Sequence, residues 1–317
     1  MASKLLRRAL LAAVGASALV LAACGGGTVE SQFQPARVVA FGDGMADLGQ
    51  NGKRYTINDG TVGNWTEVVS LSFLQNLTAS SAGGLSYATG NARVVAKPDA
   101  AGNSATPTVK EQIDTFLSGH TLSTSDLVLV NAGVADVITQ GKAVLDGTQT
   151  SDAAVAAVEQ AGVELAGQVR RIVDAGANHV VVVGSYNLGR SVWAFETSQA
   201  SLLQTLSQRF NDKLLVTMVD LGASVLYVDS ALYFNLSTST PASYGITDVT
   251  HAVCTSVDPG VGIGTGTGQV NSNLCTGDTL LTGADRTKYM FADRIYPTPR
   301  GQQLFGDYAT NRIRDRW

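Results

Sequence analysis

An α/β fold, a mostly parallel sheet held between layers of helices in a three-layer α/β/α sandwich, is predicted by three features of the sequence. Short apolar runs, "DLVLVN" at 126–131 and "HVVVVG" at 179–184, show no polar alternation, as expected of strands whose sheet is covered on both faces. Longer segments between them place apolar residues at helical spacing. The two patterns alternate along the chain, which is the order that a parallel sheet with crossover helices requires.

Taken in order, the first strand is expected at 37–41 and runs into a tight turn within "VVAFGDGMADLG", with a helix starting from Asp43. A coil-rich stretch at 51–63 carries Tyr55 and several turn residues, and a helix follows over 64–77 through Trp65, Val68, Val69 and Phe73. A second amphipathic helix is expected at 108–117, ahead of the strand at 126–131. The helix over 152–175 is expected to present Val155, Val158, Val163, Leu165, Val169, Ile172 and Val173 on its apolar face and is closed by Gly176. A strand at 179–184, a helix at 199–221 and a strand at 224–228 complete the alternation. Sites in such sheets lie beyond the carboxyl ends of the strands, so the turns after Phe41, Val130, Gly184 and Val228 are expected on one rim. From 232 to 293 the pattern dissolves into loops. The run "GVGIGTGTGQ" at 260–269 does not lead from a strand into a helix, so it is read as a mobile surface excursion rather than a phosphate loop. The last helix is expected from 298 to 314, with Leu304, Phe305, Tyr308 and Ile313 inward.

The 317 residues, 44% apolar and 15% charged, suit one large core. Residues 1–24 stand apart: Lys4, Arg7 and Arg8 precede a short apolar stretch at 9–23, the pattern of an export signal rather than a membrane span. "LAAC" at 21–24 followed by three glycines resembles a bacterial lipobox, which implies acylation of Cys24 and a membrane anchor of more than one chain. Residues 25–36 then form a flexible tether and 37–317 a single domain. Gly25 after the lipid site leans toward the outer membrane of a Gram-negative cell envelope. With Cys24 lipidated, Cys254 and Cys275 remain as a pair in an oxidising compartment, and a disulfide between them is expected. Two cysteines with no nearby histidine cluster support a metal poorly, and no cofactor is called for. Three of the 22 basic residues and none of the 26 acidic ones fall in the leader, so the chain after it carries −7. That charge, with no basic run, argues against a nucleic-acid partner. A monomer is expected.

Four separated blocks, in order, resemble those of the GDSL lipases and acylhydrolases of the SGNH hydrolase superfamily. They are "FGDGMADLG" at 41–49, "LSYATGNARV" at 85–94, "VNAGVADV" at 130–137 and "ADRIYPTPRGQQLFGDYA" at 292–309. The resemblance covers residues from about 37 to 315 and implies an SGNH, flavodoxin-like fold and ester hydrolysis. It also implies that a serine of the first block attacks and a histidine of the last block takes its proton. An aspartate three residues earlier orients that histidine. The serine N–H, a glycine of the second block and an asparagine of the third receive the oxyanion. Carried over residue by residue, the nucleophile position is Gly44, the base position Tyr296 and the asparagine position Ala135. Asp293 is retained as orienter and Gly90, beside Asn91, as the second-block glycine of the oxyanion cleft. Asp43, Asp47 and Asp136 flank these blocks, and helix-capping is the structural reading of such short acids.

No serine lies in 41–49 and no histidine follows His251, so a shift of alignment does not restore the missing groups. Tyr296, with an ordinary pKa near 10, is no substitute for imidazole at neutral pH. His120 and His179 read as structural or solvated, and His251 is the one histidine in a loop that could swing toward the site. Trp65, Tyr55, Tyr186 and Trp193 are candidates either to line a pocket at the rim or to fill core. The expected function is therefore that of an exported, lipase-like pseudo-hydrolase that binds a small ester, lipid, glycan or protein partner in a vestigial cleft. The alternative is an active lipase, phospholipase or carbohydrate acylesterase using other residues.

Overall fold

The computed structural model describes residues 33–317 except residue 62, and residues Phe33–Trp317 form one compact unit. The leader, Cys24 and most of the expected tether lie outside the described residues. The last part of that tether belongs to the domain: the Phe33 ring stacks on His179 at 3.8 Å, and the Ala36 N–H donates to the Ser125 carbonyl.

Four parallel strands form the main sheet in the order of the chain: β1 (Arg37–Gly42), β2 (Asp126–Asn131), β3 (His179–Val183) and β4 (Val225–Tyr227). β2 is buried along its whole length and β1 and β3 at all but their first residue, as their unbroken apolar sequences predict. Gly42 pairs with Asn131, Asn131 with Val183, and Val182 with Tyr227, so the carboxyl ends come out on one rim as expected. Residues 85–87 lie along the free side of β1: the Tyr87 N–H donates to the Ala40 carbonyl and the Ala40 N–H to that of Leu85.

The helices are α1 (Trp65–Ser72), α2 (Val109–Gly119), α3 (Val134–Leu145), α4 (Ser151–Asp174), α5 (Val192–Glu196), α6 (Ala200–Thr217), α7 (Ser230–Ser239) and α8 (Pro299–Arg316). Their starts are written in the sequence: Asn64, Thr108, Thr150 and Thr298 each cap a helix with a side-chain oxygen, and Thr108 with Glu111 forms a capping box. α1 packs on α8, and α4 packs along α6 and beside α3. A Cβ on Gly162 would meet the Phe210 carbonyl at 2.4 Å, so α4 and α6 approach as closely as they do because that residue has no side chain.

Three expectations need correction. No helix begins at Asp43; residues 43–46 form a turn, because the Asp43 and Asp47 carboxylates accept N–H groups two or three residues ahead and compete with helical bonding. The stretch from 232 to 293 is not simply loop: it contains most of α7 and a second, two-stranded sheet of β5 (Asp248–Ala252) and β6 (Tyr289–Phe291). The glycine-rich run is docked, with Ile263 and Thr265 buried and the Thr265 carbonyl accepting from Arg294 at 3.3 Å. The disulfide is as expected, joining Cys254 to Cys275.

Candidate functional site: a rim filled by two tyrosines

The turn after β1 is tightly determined. Gly42 has φ +150°, and a Cβ there would lie 2.0 Å from the Asn131 carbonyl oxygen, so only glycine fits. The Gln112 carboxamide holds Gly42 on both sides, accepting from its N–H at 2.8 Å and donating to its carbonyl at 2.9 Å. Asn131 closes β2 in the same manner: its Oδ1 accepts from the Trp65 indole at 3.0 Å and its amide donates to the Val183 carbonyl at 3.2 Å. Sequence reasoning did not single out Gln112 or Asn131. The signal for Asn131 was a lone carboxamide at the end of an otherwise apolar strand.

Beyond this turn, Gly44 is buried, and its backbone is not in the left-handed region; space, not dihedral angle, requires glycine. A Cβ on Gly44 would lie 2.6 Å from the Tyr296 hydroxyl and 2.7 Å from the ring carbon that bears it. The Tyr296 ring thus occupies the volume into which a side chain at position 44 would project. Tyr296 is fully buried, and its hydroxyl finds no partner among the described residues. Burial, and after it the nearby Asp43 charge, pushes the phenol well above its usual pKa, which favours its neutral form.

A second ring completes the filling. Tyr55 lies 5.0 Å from Tyr296 between centroids, and a Cβ on Gly90 would meet its ring at 1.9 Å. Two glycines therefore face two tyrosines. Asn91, at φ +62°, donates to the Tyr55 hydroxyl at 3.4 Å and to the Gly262 carbonyl at 2.9 Å, which joins the glycine-rich run to this cover.

The acids around the rim are committed to main chain. Asp43 accepts from the Met45 N–H at 3.0 Å and from the Val134 N–H at 3.1 Å, so it caps α3 rather than a helix of its own. Burial raises its carboxyl to about 7, with the Asp136 charge adding to the rise and the N–H donors opposing it. Asp47 accepts from Gly49, Gln50 and Gly90, the last at 2.8 Å, and is raised by burial to about 6. The Gly90 N–H, the group that the family resemblance assigns to the oxyanion, is thereby already bonded to a carboxylate. Asp136 accepts from the Val94 N–H at 3.0 Å and pairs with Arg93 at 3.2 Å, yet burial still raises it. Asp293 accepts from Ile295 and Tyr296 through one oxygen and from Ser272 through the other, so it shapes its own turn and ties it to the segment held by Cys275. Burial raises this carboxyl too. Ala135 is fully buried at the start of α3.

The remaining candidates fall outside the site. Trp65, Tyr186 and Trp193 are fully buried core residues, not pocket walls; the Tyr186 hydroxyl donates to the Ile295 carbonyl at 2.7 Å. His251 is exposed on β5 and bonds Asp248 at 2.9 Å instead of turning toward Tyr296. His179 sits at the amino end of β3, the opposite rim, and His120 just past α2, stacked on Phe116.

A parallel sheet flanked by helices, with the four motif blocks meeting at its carboxyl rim, is the architecture of the SGNH hydrolase fold. Residues 38–309 match the sequence model of the GDSL-like lipase/acylhydrolase family, and the chain belongs to that family. It is 28% identical over 177 residues to the "uncharacterized protein in trpE-trpG intergenic region" of Pseudomonas putida, a match that covers 56% of this chain and 28% of that one. The match therefore spans little more than a quarter of that relative's length. A phospholipase A1 from Streptomyces albidoflavus NA297 aligns in structure over 87% of this chain and 98% of its own, with a TM-score of 0.41 and 16% identity.

Proposed function

We propose that this chain is a catalytically silent member of its family, acting by binding at its surface and not by ester hydrolysis. The observation that carries this reading is the Tyr296 ring lying where a side chain at position 44 would stand. Activated-hydroxyl chemistry needs a hydroxyl, a base of suitable pKa and free donors aimed at the developing oxyanion. Here the first position is bare, the second holds a neutral phenol, and the Gly90 donor is occupied by Asp47. With Gly44, Ala135, Asp293 and Tyr296 all buried, the vestigial cleft offers no opening at these residues, so the binding surface lies around it and not inside it.

The same reading includes export and attachment to the cell envelope through lipid on Cys24, supported by the charged and then apolar leader and by "LAAC". Two measurements test the parts separately. Purified protein should neither turn over short-chain p-nitrophenyl esters above buffer nor react with a fluorophosphonate probe; stoichiometric labelling would establish the opposite reading, an active hydrolase using other residues. For the anchor, cells expressing the chain should incorporate labelled palmitate into it, and Cys24→Ser should abolish the label. Incorporation that survives the substitution would refute the assignment.

A further inference from the structure

The crevice at the ends of β1 and β2 is filled, but the same rim remains open farther along, at the ends of β3 and β4. There a cavity of about 190 Å³ lies between α6, the turn after β3 and the start of α7. It is open to solvent on one side and is of the order of size of one small polar ring. Its floor is polar and deeply buried: Asn187 is 5% exposed and Asn211 6%. Asn211 donates to the Ser185 carbonyl at 2.7 Å while its Oδ1 finds no partner among the described residues. The floor is thus polar at a depth where apolar side chains are the rule.

One wall is a row on α6. Gln204, Gln208 and Asp212 follow one another at intervals of four, so they share a face of the helix, and all three are exposed lining residues. None of the three side chains makes a hydrogen bond or ion pair among the described residues. Facing them are Tyr227 and Asp229 from the end of β4, and Asn235 from α7, which accepts from the Asn187 amide at 2.7 Å. Asp229 uses one oxygen to cap α7.

The chemistry of this lining selects a class of ligand. No lysine or arginine lines the cavity, while Asp212 and Asp229 do, so phosphate or carboxylate ligands meet repulsion and no partner. A metal ion uses oxygen donors only and leaves the carboxamide N–H groups of Gln204, Gln208 and Asn235 unused. Hydroxyl groups use both, because each donates to a carboxylate or carbonyl oxygen and accepts from an amide. Tyr227 and Leu215 add apolar surface for the C–H face of a ring.

We infer that this cavity is a binding site for an uncharged, hydroxyl-rich ligand, a neutral saccharide unit. The inference does not rest on the loss of catalysis, since no residue of the cavity belongs to the filled rim.

The test is a backbone-amide NMR titration of the protein with methyl α-glucoside, methyl β-N-acetylglucosaminide, glucuronate and calcium, each alone. At least one neutral glycoside should shift resonances of α6 and the β4–α7 turn, with affinity in the millimolar range expected of one small ring. Gln208→Ala and Asp212→Ala change exposed side chains, so their Tm should stay at the wild-type value, while each weakens that binding roughly tenfold, the loss expected when a hydrogen bond to a charged or buried partner is removed. Glucuronate should bind more weakly than the neutral glycosides. The inference is overturned if no neutral glycoside shifts these resonances, if the shifts map elsewhere, or if both variants bind like wild type. It is equally overturned if glucuronate binds best, or if calcium alone shifts these resonances and the glycosides do not.

Discussion

Gly44 and Tyr296 are best understood as a pair. A side chain at 44 and the phenol at 296 claim the same volume, with 2.6 Å between the would-be Cβ and the hydroxyl. Gly44→Ser should therefore destabilise the protein by about 1–3 kcal/mol, the usual range for overpacking a core. Tyr296→Ala alone should cost about 3–5 kcal/mol as a large-to-small change. Combined, the two should cost clearly less than their sum, because each relieves the defect of the other. Urea unfolding of the four proteins measures the coupling; strict additivity would mean that the ring does not press on position 44. Tyr296→Phe is a finer probe. Its hydroxyl has no partner to lose, so the variant should unfold at the same urea concentration as wild type or a higher one.

At the scale of elements, what was readable depended on how local the determining physics is. β1 to β4 and the starts of α1, α2 and α8 were legible because unbroken apolar runs and single capping side chains decide them. The turn at 43–46 was misread as helix because its conformation is set by carboxylates bonding to main chain and, through Asp43, to the distant Val134 N–H. α7 was missed since Leu232 and Leu236, both about half exposed at 49%, obscure any apolar face. The positions replaced in the site could be read from the motif blocks. That Tyr55 would seat itself on Gly90 could not, because it depends on how a coil-rich stretch folds back across the rim.

The segment between the two cysteines shows the same dependence on tertiary structure and yields a prediction of its own. Asp293 reaches Ser272, and Asn91 reaches Gly262, so the stretch closed by Cys254 and Cys275 forms part of the cover over Tyr296. A loop with a sequence separation of 21 is expected to stabilise by about 3 kcal/mol when cross-linked. The Cys254→Ala, Cys275→Ala double variant should lose roughly that amount and gain protease cleavage within 255–274, yet acquire no esterase activity. Turnover appearing in this variant would overturn the proposal that the replaced groups leave the chain without esterase activity.

Across the whole molecule, the filled rim leaves a signature in the dependence of stability on pH. Asp43, Asp47, Asp136 and Asp293 are all buried there, and burial raises every one of their carboxyls, Asp43 to about 7 and Asp47 to about 6 from an ordinary 3.8. Between 3.8 and those values the folded state holds protons that the unfolded chain has released, so the stability these groups contribute falls as pH rises through the window. Carboxylates such as Asp126, bonded to Arg37, are lowered and act in the opposite sense, losing their contribution only as the medium becomes strongly acidic. The two sets together place the stability maximum on the acid side of neutrality, with a higher Tm at pH 5 than at pH 7.5. Asp43→Asn removes a carboxyl raised to about 7 while keeping one acceptor oxygen. Whatever its cost at pH 5, the Tm difference from wild type should move in the variant's favour as pH rises to 7.5. A wild-type Tm that climbs steadily from pH 5 to 8, or a difference that stays constant, would mean that these acids are solvated in a way that an interior rim filled by Tyr55 and Tyr296 does not permit.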